Sequence, residues 1–178
     1  MTGLSLVGYR GTGKTTVGRL VAARLGLEFA DADHELERRA GRSIATIFAE
    51  HGEPSFRDLE EAVLQDLSTR PGLVLATGGG AILRETNRAA LKRLGPVVWL
   101  TAPVETLARR LQGDRASRPA LTAAGTLAEI ADVLNARTPL YQEVADLVID
   151  TKGHSPRRVA DLIIARIGDR QPGEGGRS

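Results

Sequence analysis

Residues 8–15 read "GYRGTGKT" and match G-x-x-x-x-G-K-[ST] at every fixed position. A glycine-rich turn of this spacing lets successive backbone amides converge on phosphate oxygens, and the dipole of the helix that follows favours the anion. Gly11, Thr12, Gly13 and Thr16 belong to such a cradle for the phosphates of a nucleotide. Lys14 reaches the β- and γ-phosphates, and the Thr15 hydroxyl is placed to ligate Mg²⁺. The chain has 3 lysines against 21 arginines, so a lysine at this position has a chemical reason.

An acidic pair lies in "FADAD", residues 29–33. If the strand persists to its end, Asp31 and Asp33 share one face at its C-terminal edge, where open α/β sheets bind ligands. Asp31 then positions the water shell of the metal, and Asp33 takes the proton of an attacking hydroxyl. Asp33 equally suits the N-cap of a helix beginning "HELERRAG".

A separate glycine run, "LVLATGGGAIL" at 73–83, contains Gly78, Gly79 and Gly80. Three glycines cost chain entropy and pack nothing, so bare backbone must be required there. Close approach of bare backbone to a ligand other than the nucleotide, whose phosphates already have a glycine loop, meets that requirement.

Arginines supply the remaining candidates. Arg57 lies beside an amphipathic stripe of Phe56, Leu59, Val63 and Leu67, and either pairs on the surface with Glu60 or Glu61 or faces a ligand. "GDRASRPAL" (113–121) is broken by glycine and proline, as in a lid over a transferring phosphoryl group or in an ordinary surface loop. "NARTPLYQEV" (135–144) places Arg137 two residues before Pro139.

The elements that must position these groups alternate regularly. "LSLV" precedes the glycine loop as a buried strand, and "TTVGRLVAARLG" follows it as a helix with Val17, Leu20, Val21 and Leu25 at helical spacing. Further strands are expected at 27–31, 73–76, 97–100 and 147–150. Helices are expected around 33–40, 43–69, 85–94, 103–112, 126–145 and 156–167. Alternation of this kind gives an α/β fold with a parallel sheet and helices on both faces.

Composition excludes several classes. With 178 residues, 42% hydrophobic and 26% charged, the chain suits one domain with a real core. No apolar run approaches the roughly 18 residues that span a bilayer, so no membrane partner is expected. Met1 leads almost directly into "LSLVG" without a basic segment and apolar core, so no secretory signal is expected and a cytoplasmic location is. Zero cysteines exclude thiolate chemistry and sulfur-ligated metals. The net charge of +2 is spread among interleaved acids with six aromatics, which argues against nucleic acid. An Asn-Lys-x-Asp guanine reader is absent, and motor ATPases need modules for which the chain has no room.

Taken in order, "GYRGTGKTTVG", "FADAD", "SIATIFAEHGEPSFRDLE", "LATGGGAI", the lid "RP", "RTPLYQEVAD" and "VIDT" resemble the shikimate kinase family over about residues 4–167. The resemblance implies a P-loop fold like that of nucleoside monophosphate kinases. That fold is a three-layer α/β sandwich around a five-stranded parallel sheet of order 2-3-1-4-5. It implies one kinase domain over 1–168, with an acceptor region about 32–61 and a lid about 112–125, then a disordered tail 169–178. It implies transfer of the ATP γ-phosphoryl to the 3-hydroxyl of shikimate, with Mg²⁺, by a monomer in chorismate and aromatic amino-acid biosynthesis. Carried over by motif position, Asp33 holds the shikimate hydroxyls, Asp31 lies near the magnesium, and Arg57 and Arg137 clamp the carboxylate. Arg118 before the lid proline reaches the phosphates, with Arg115 as the alternative, and Arg110 or Arg109 lies against adenine.

Departures from the family pattern are "RPAL", where many relatives have two leucines after the proline, "GDRASRP", which differs in detail from the commoner lid sequences, and Tyr9 and Arg10 in the glycine loop. A kinase of another small acid such as gluconate is countered by the arginine pair with "TGGG". An inactive nucleotide-binding domain is countered by intact Lys14, Thr15, Asp31 and Asp33.

Overall fold

The computed structural model describes residues 3–113 and 127–169. Residues 114–125 of the expected lid, including Arg115 and Arg118, and the tail beyond 169 lie outside the described residues. Five parallel strands form one sheet: β1 (Gly3–Val7), β2 (Glu28–Asp31), β3 (Leu73–Ala76), β4 (Val97–Thr101) and β5 (Leu147–Asp150). Their order is β2-β3-β1-β4-β5, as the resemblance implied. Seven α-helices accompany them among the described residues: α1 (Lys14–Leu25), α2 (Ala32–Ala40), α3 (Ile44–Leu67), α4 (Glu85–Leu94), α5 (Val104–Gly113), α6 (Leu127–Val144) and α7 (Pro156–Gly168).

Helices cover both faces of the sheet, which is why β1 and β3 are apolar almost throughout and buried at every position. Alternate residues feed two cores. Val7, Leu73, Leu75 and Val97 pack with Leu36, Phe56, Leu64, Leu91 and Tyr141 on one side. Leu4, Leu6, Val74, Val98 and Ile149 pack with Val17, Val21 and Ile163 on the other. A smaller cluster of Leu107, Ala108 and Ile130 joins α5 to α6.

Three local expectations need correction. The strand does not persist to Asp33: β2 ends at Asp31, whose carboxylate accepts from the Asp33 and His34 amides and so caps α2 itself. A capping side chain and a strand-end side chain are the same residue here, and Asp33 projects from the first helical turn. The helix expected over 43–69 is broken at Gly52, where φ 75° and ψ 175° leave helical space. Pro54 then sits in the first turn of the second segment, where its missing N–H costs nothing. Within that segment Leu59 is 38% exposed, whereas Glu60 is 3% exposed and takes its place among Phe56, Val63 and Leu67.

Helices α2 and α3 are tied by charge. Glu35 accepts from Arg38 and from Arg39, and Arg39 also pairs with Asp66 on α3. Hydrogen bonds from Arg38 first and Arg39 second pull the Glu35 carboxyl down to about 2. A depressed carboxyl contributes stability that is present above its unfolded value, near 4.5, and lost as pH falls towards 2. Glu35→Gln should therefore lower stability at pH 7, change little near pH 2 and flatten the acid limb between those values, as urea midpoints across pH would read.

Candidate active site

All five strands run in parallel, so their C-terminal ends share one edge, and β1 lies between β3 and β4. The loop after β1 and the loop after β3 are therefore neighbours. Thr77 fastens them, with both its amide and its hydroxyl donating to the Leu6 carbonyl at 3.1 Å. The edge where ligands of open α/β sheets bind thus carries two glycine loops side by side.

In the first loop, Gly8, Gly11 and Gly13 have φ of 144°, 79° and 90°, values that side chains strongly disfavour. Thr12 is buried and donates its hydroxyl to the Tyr9 carbonyl at 2.8 Å. Lys14 opens α1 and is 9% exposed; its ammonium donates to the Gly8 carbonyl at 2.7 Å and the Tyr9 carbonyl at 2.8 Å. Thr15 donates its hydroxyl to Asp31 at 2.6 Å. The lysine thus straps the loop's first turn, and the threonine links the loop to the end of β2.

The second loop explains its three glycines by what stands against them. None has positive φ, so backbone conformation does not require them. A Cβ on Gly78 would lie 2.7 Å from Asp33 Oδ1. One on Gly79 would lie 3.5 Å from Arg137 Nη1, and one on Gly80 would lie 2.5 Å from both terminal nitrogens of Arg57. Gly78 and Gly80 thus make room for Asp33 and Arg57, side chains already singled out in the sequence, while Arg137 stands at ordinary contact distance from the Gly79 position. The Gly79 position is also 3.6 Å from the Gly8 carbonyl and the Arg10 amide, so the two loops touch. Asp33, Arg57 and Arg137, contributed by α2, α3 and α6, converge on three successive residues beside the phosphate loop.

Arg57 does pair with Glu60, at 2.7 Å, but the pair is not on the surface: the two side chains are 11% and 3% exposed. Its second partner is Glu53 at 3.0 Å, while Glu61 turns instead to Arg84. Phe56 lies under the guanidinium, 5.0 Å from it. Burial pushes the Glu60 carboxyl up despite the Arg57 charge beside it, and the Asp33 charge adds to that rise. One Glu60 oxygen is buried without a hydrogen-bond partner. A charged residue at core spacing, four after Phe56 and three before Val63, is the signal in the sequence that would have found it.

Arg110, not Arg109, turns towards the first loop. It donates to the Gly11 carbonyl at 2.9 Å and to the Thr151 hydroxyl at 3.0 Å, while Arg109 is exposed. Gly11, Thr12, Gly13, Thr16 and Arg110 line a cavity of about 200 Å³ together with Thr151, His154 and Pro156. Those last three were not anticipated; they follow β5 in "DTKGHSP", whose glycine and proline mark a loop at the ligand edge.

The arrangement sets a glycine loop of phosphate-binding type between a cavity bordered by Arg110 on one side and, on the other, two arginines gathered with the carboxylates of Asp33 and Glu60. Comparison with known proteins agrees. The shikimate kinase family model matches residues 10–168. A shikimate kinase of Pseudomonas putida is 47% identical over 94% of this chain and 96% of its own. One from Chromohalobacter salexigens is 48% identical over 90% of this chain and 89% of its own. The solved shikimate kinase of Acinetobacter baumannii in complex with shikimate superposes with a TM-score of 0.91 at 44% identity, covering 97% of this chain and 96% of that one. A sugar kinase from Janibacter, 21% identical with a TM-score of 0.64, shares the fold. Over nearly its whole length, in sequence and in three dimensions alike, the chain belongs to the shikimate kinase family of ATP-dependent P-loop kinases.

Proposed function

We propose that the protein transfers the γ-phosphoryl group of ATP to the 3-hydroxyl of shikimate, giving shikimate 3-phosphate and ADP in aromatic amino-acid biosynthesis, as a cytoplasmic monomer. The observation that carries this reading is the meeting of Asp33, Arg57 and Arg137 on Gly78–Gly80, against the phosphate loop.

Shikimate has a planar carboxylate and neighbouring hydroxyls. A guanidinium matches a carboxylate with two parallel charge-assisted bonds, which suits Arg57 and Arg137 to that end of the acceptor. The bare glycines admit the ring, and Asp33 accepts the hydroxyl's hydrogen bond and then its proton. On the nucleotide side, amides of Gly11–Thr16 and the Lys14 ammonium hold the phosphates, and Arg110 borders the base. Arg118, outside the described residues, is assigned to the transferring phosphoryl group.

For Mg²⁺ the donor set fits. The Thr15 proton points at Asp31, which leaves the hydroxyl oxygen's lone pairs for a cation, and the Asp31 carboxylate can hold a metal-bound water. Among the described residues no cluster of three or more His, Asp or Glu is gathered to hold a metal alone. Mg²⁺ is ordinarily held through a few protein oxygens, waters and substrate phosphates, and when bound it neutralises charge on the transferring group. Phosphoryl transfer needs chiefly positioning and charge neutralisation, so Asp33 contributes mainly orientation of the acceptor.

The test is ADP release. Purified protein with MgATP should release ADP on addition of shikimate, and not with gluconate or a nucleoside monophosphate. Turnover with either alternative acceptor, and none with shikimate, overturns the assignment.

A further inference from the structure

Three consecutive glycines leave their peptide units free to rotate, because no Cβ resists a reversal of the C=O and N–H directions. In a trans peptide those two groups point opposite ways, so whatever holds the carbonyl decides where the amide faces. The Gly79 carbonyl is held by Tyr141, whose phenol donates to it at 2.7 Å. Tyr141 is itself immobilised. It is fully buried and stacks on Trp99 of β4 with ring centroids 5.3 Å apart and planes 13° apart. It lies on α6 one turn after Arg137, the cation that stands against the same Gly79. Burial pushes its hydroxyl up to about 12, so it stays a donor at physiological pH. The Gly80 N–H, on the far side of that peptide, donates no hydrogen bond among the described residues.

We infer that Tyr141 is a positioning residue for acceptor binding: its hydroxyl fixes the Gly79–Gly80 peptide so that the Gly80 amide, and not the Gly79 carbonyl, faces the anionic acceptor. This rests on the acceptor reading given above. A reversed peptide would offer an oxygen to a carboxylate or hydroxyl, and the Arg137 end of the pocket would lose its fixed neighbour. Because Tyr141 and Arg137 share one helix face, one rigid element sets both the cation and the amide.

Tyr141→Phe keeps the stacked ring and removes only the donor. The expected result is a KM for shikimate raised roughly 5- to 50-fold, the range expected for a buried carbonyl left unpaired. KM for ATP should stay within about twofold, and kcat should fall far less than the shikimate KM rises. Unchanged shikimate KM overturns the inference, and so does an equal change in both KM values with a matching loss of thermal stability. A second measurement needs no variant: in the wild-type protein, hydrogen exchange at the Gly80 amide should slow when shikimate is added. Unslowed exchange in shikimate-saturated protein overturns it as well. If the acceptor reading itself is wrong, the wild-type protein shows no turnover with shikimate, an outcome distinct from either failure.

Discussion

Lys14→Met should lower kcat by roughly 10²- to 10³-fold, the scale found when one preorganised charge donor is removed from a transition state. Methionine keeps the apolar stem and the length of the buried side chain, so the loss falls on the ammonium. That group has two duties, and the variant removes both. On the proposed reading it carries the positive charge nearest the phosphates, and it straps the loop by donating to the Gly8 and Tyr9 carbonyls. Losing the strap removes charge-assisted bonds worth about 2 kcal/mol in all, which in a domain of this size lowers Tm by roughly 4–8 °C. Lys14→Arg restores charge without restoring function, because a planar guanidinium has no room at a position only 9% exposed. ADP-release kinetics beside thermal melts would read both duties. A Lys14→Met protein with kcat within tenfold of wild type would remove Lys14 from the chemistry.

Both glycine loops are legible in the sequence because their requirement is local: φ in the left-handed region at Gly11 and Gly13, and a run of bare backbone after a buried strand. Strands were legible too, since a sheet covered on both faces is written as unbroken apolar runs. What the glycines of the second loop accommodate was not legible. Asp33, Arg57 and Arg137 come from three helices spread over more than a hundred residues, and only the packing of α2, α3 and α6 brings them to one place. The division of labour between Asp31 and Asp33 was half legible. Alternation in a strand puts them on one face, but an aspartate that ends a strand also begins the next helix well, and the helix starts one residue earlier than the pattern suggests. In the sequence Glu60 reads only as a surface partner of Arg57, because a carboxylate in an apolar stripe reads as a neighbour of the core. It is instead the buried anchor of Arg57.

Gly80→Ala tests that packing most severely, and its cost should fall on function and spare the fold. The added methyl would lie 2.5 Å from Arg57 Nη1 and Nη2 and 2.8 Å from Cζ. These are the far end of a long side chain, which can swing away, and Gly80 itself has φ −96°, a value alanine adopts freely. Tm should therefore change by no more than a few degrees. The guanidinium, however, is displaced from the place where Glu53 and Glu60 hold it, and a misplacement on the order of 1 Å costs about 10² in a positioned reaction. The expected result is kcat/KM for shikimate lowered about 100-fold with KM for ATP unchanged. If the loss is Arg57's displacement and nothing else, it vanishes once Arg57 is gone: in an Arg57→Ala background the same Gly80→Ala change should cost less than threefold more. Two residues that act through one contact are non-additive in this way, and independent ones are not. A full 100-fold loss in both backgrounds would mean that the methyl obstructs the acceptor directly.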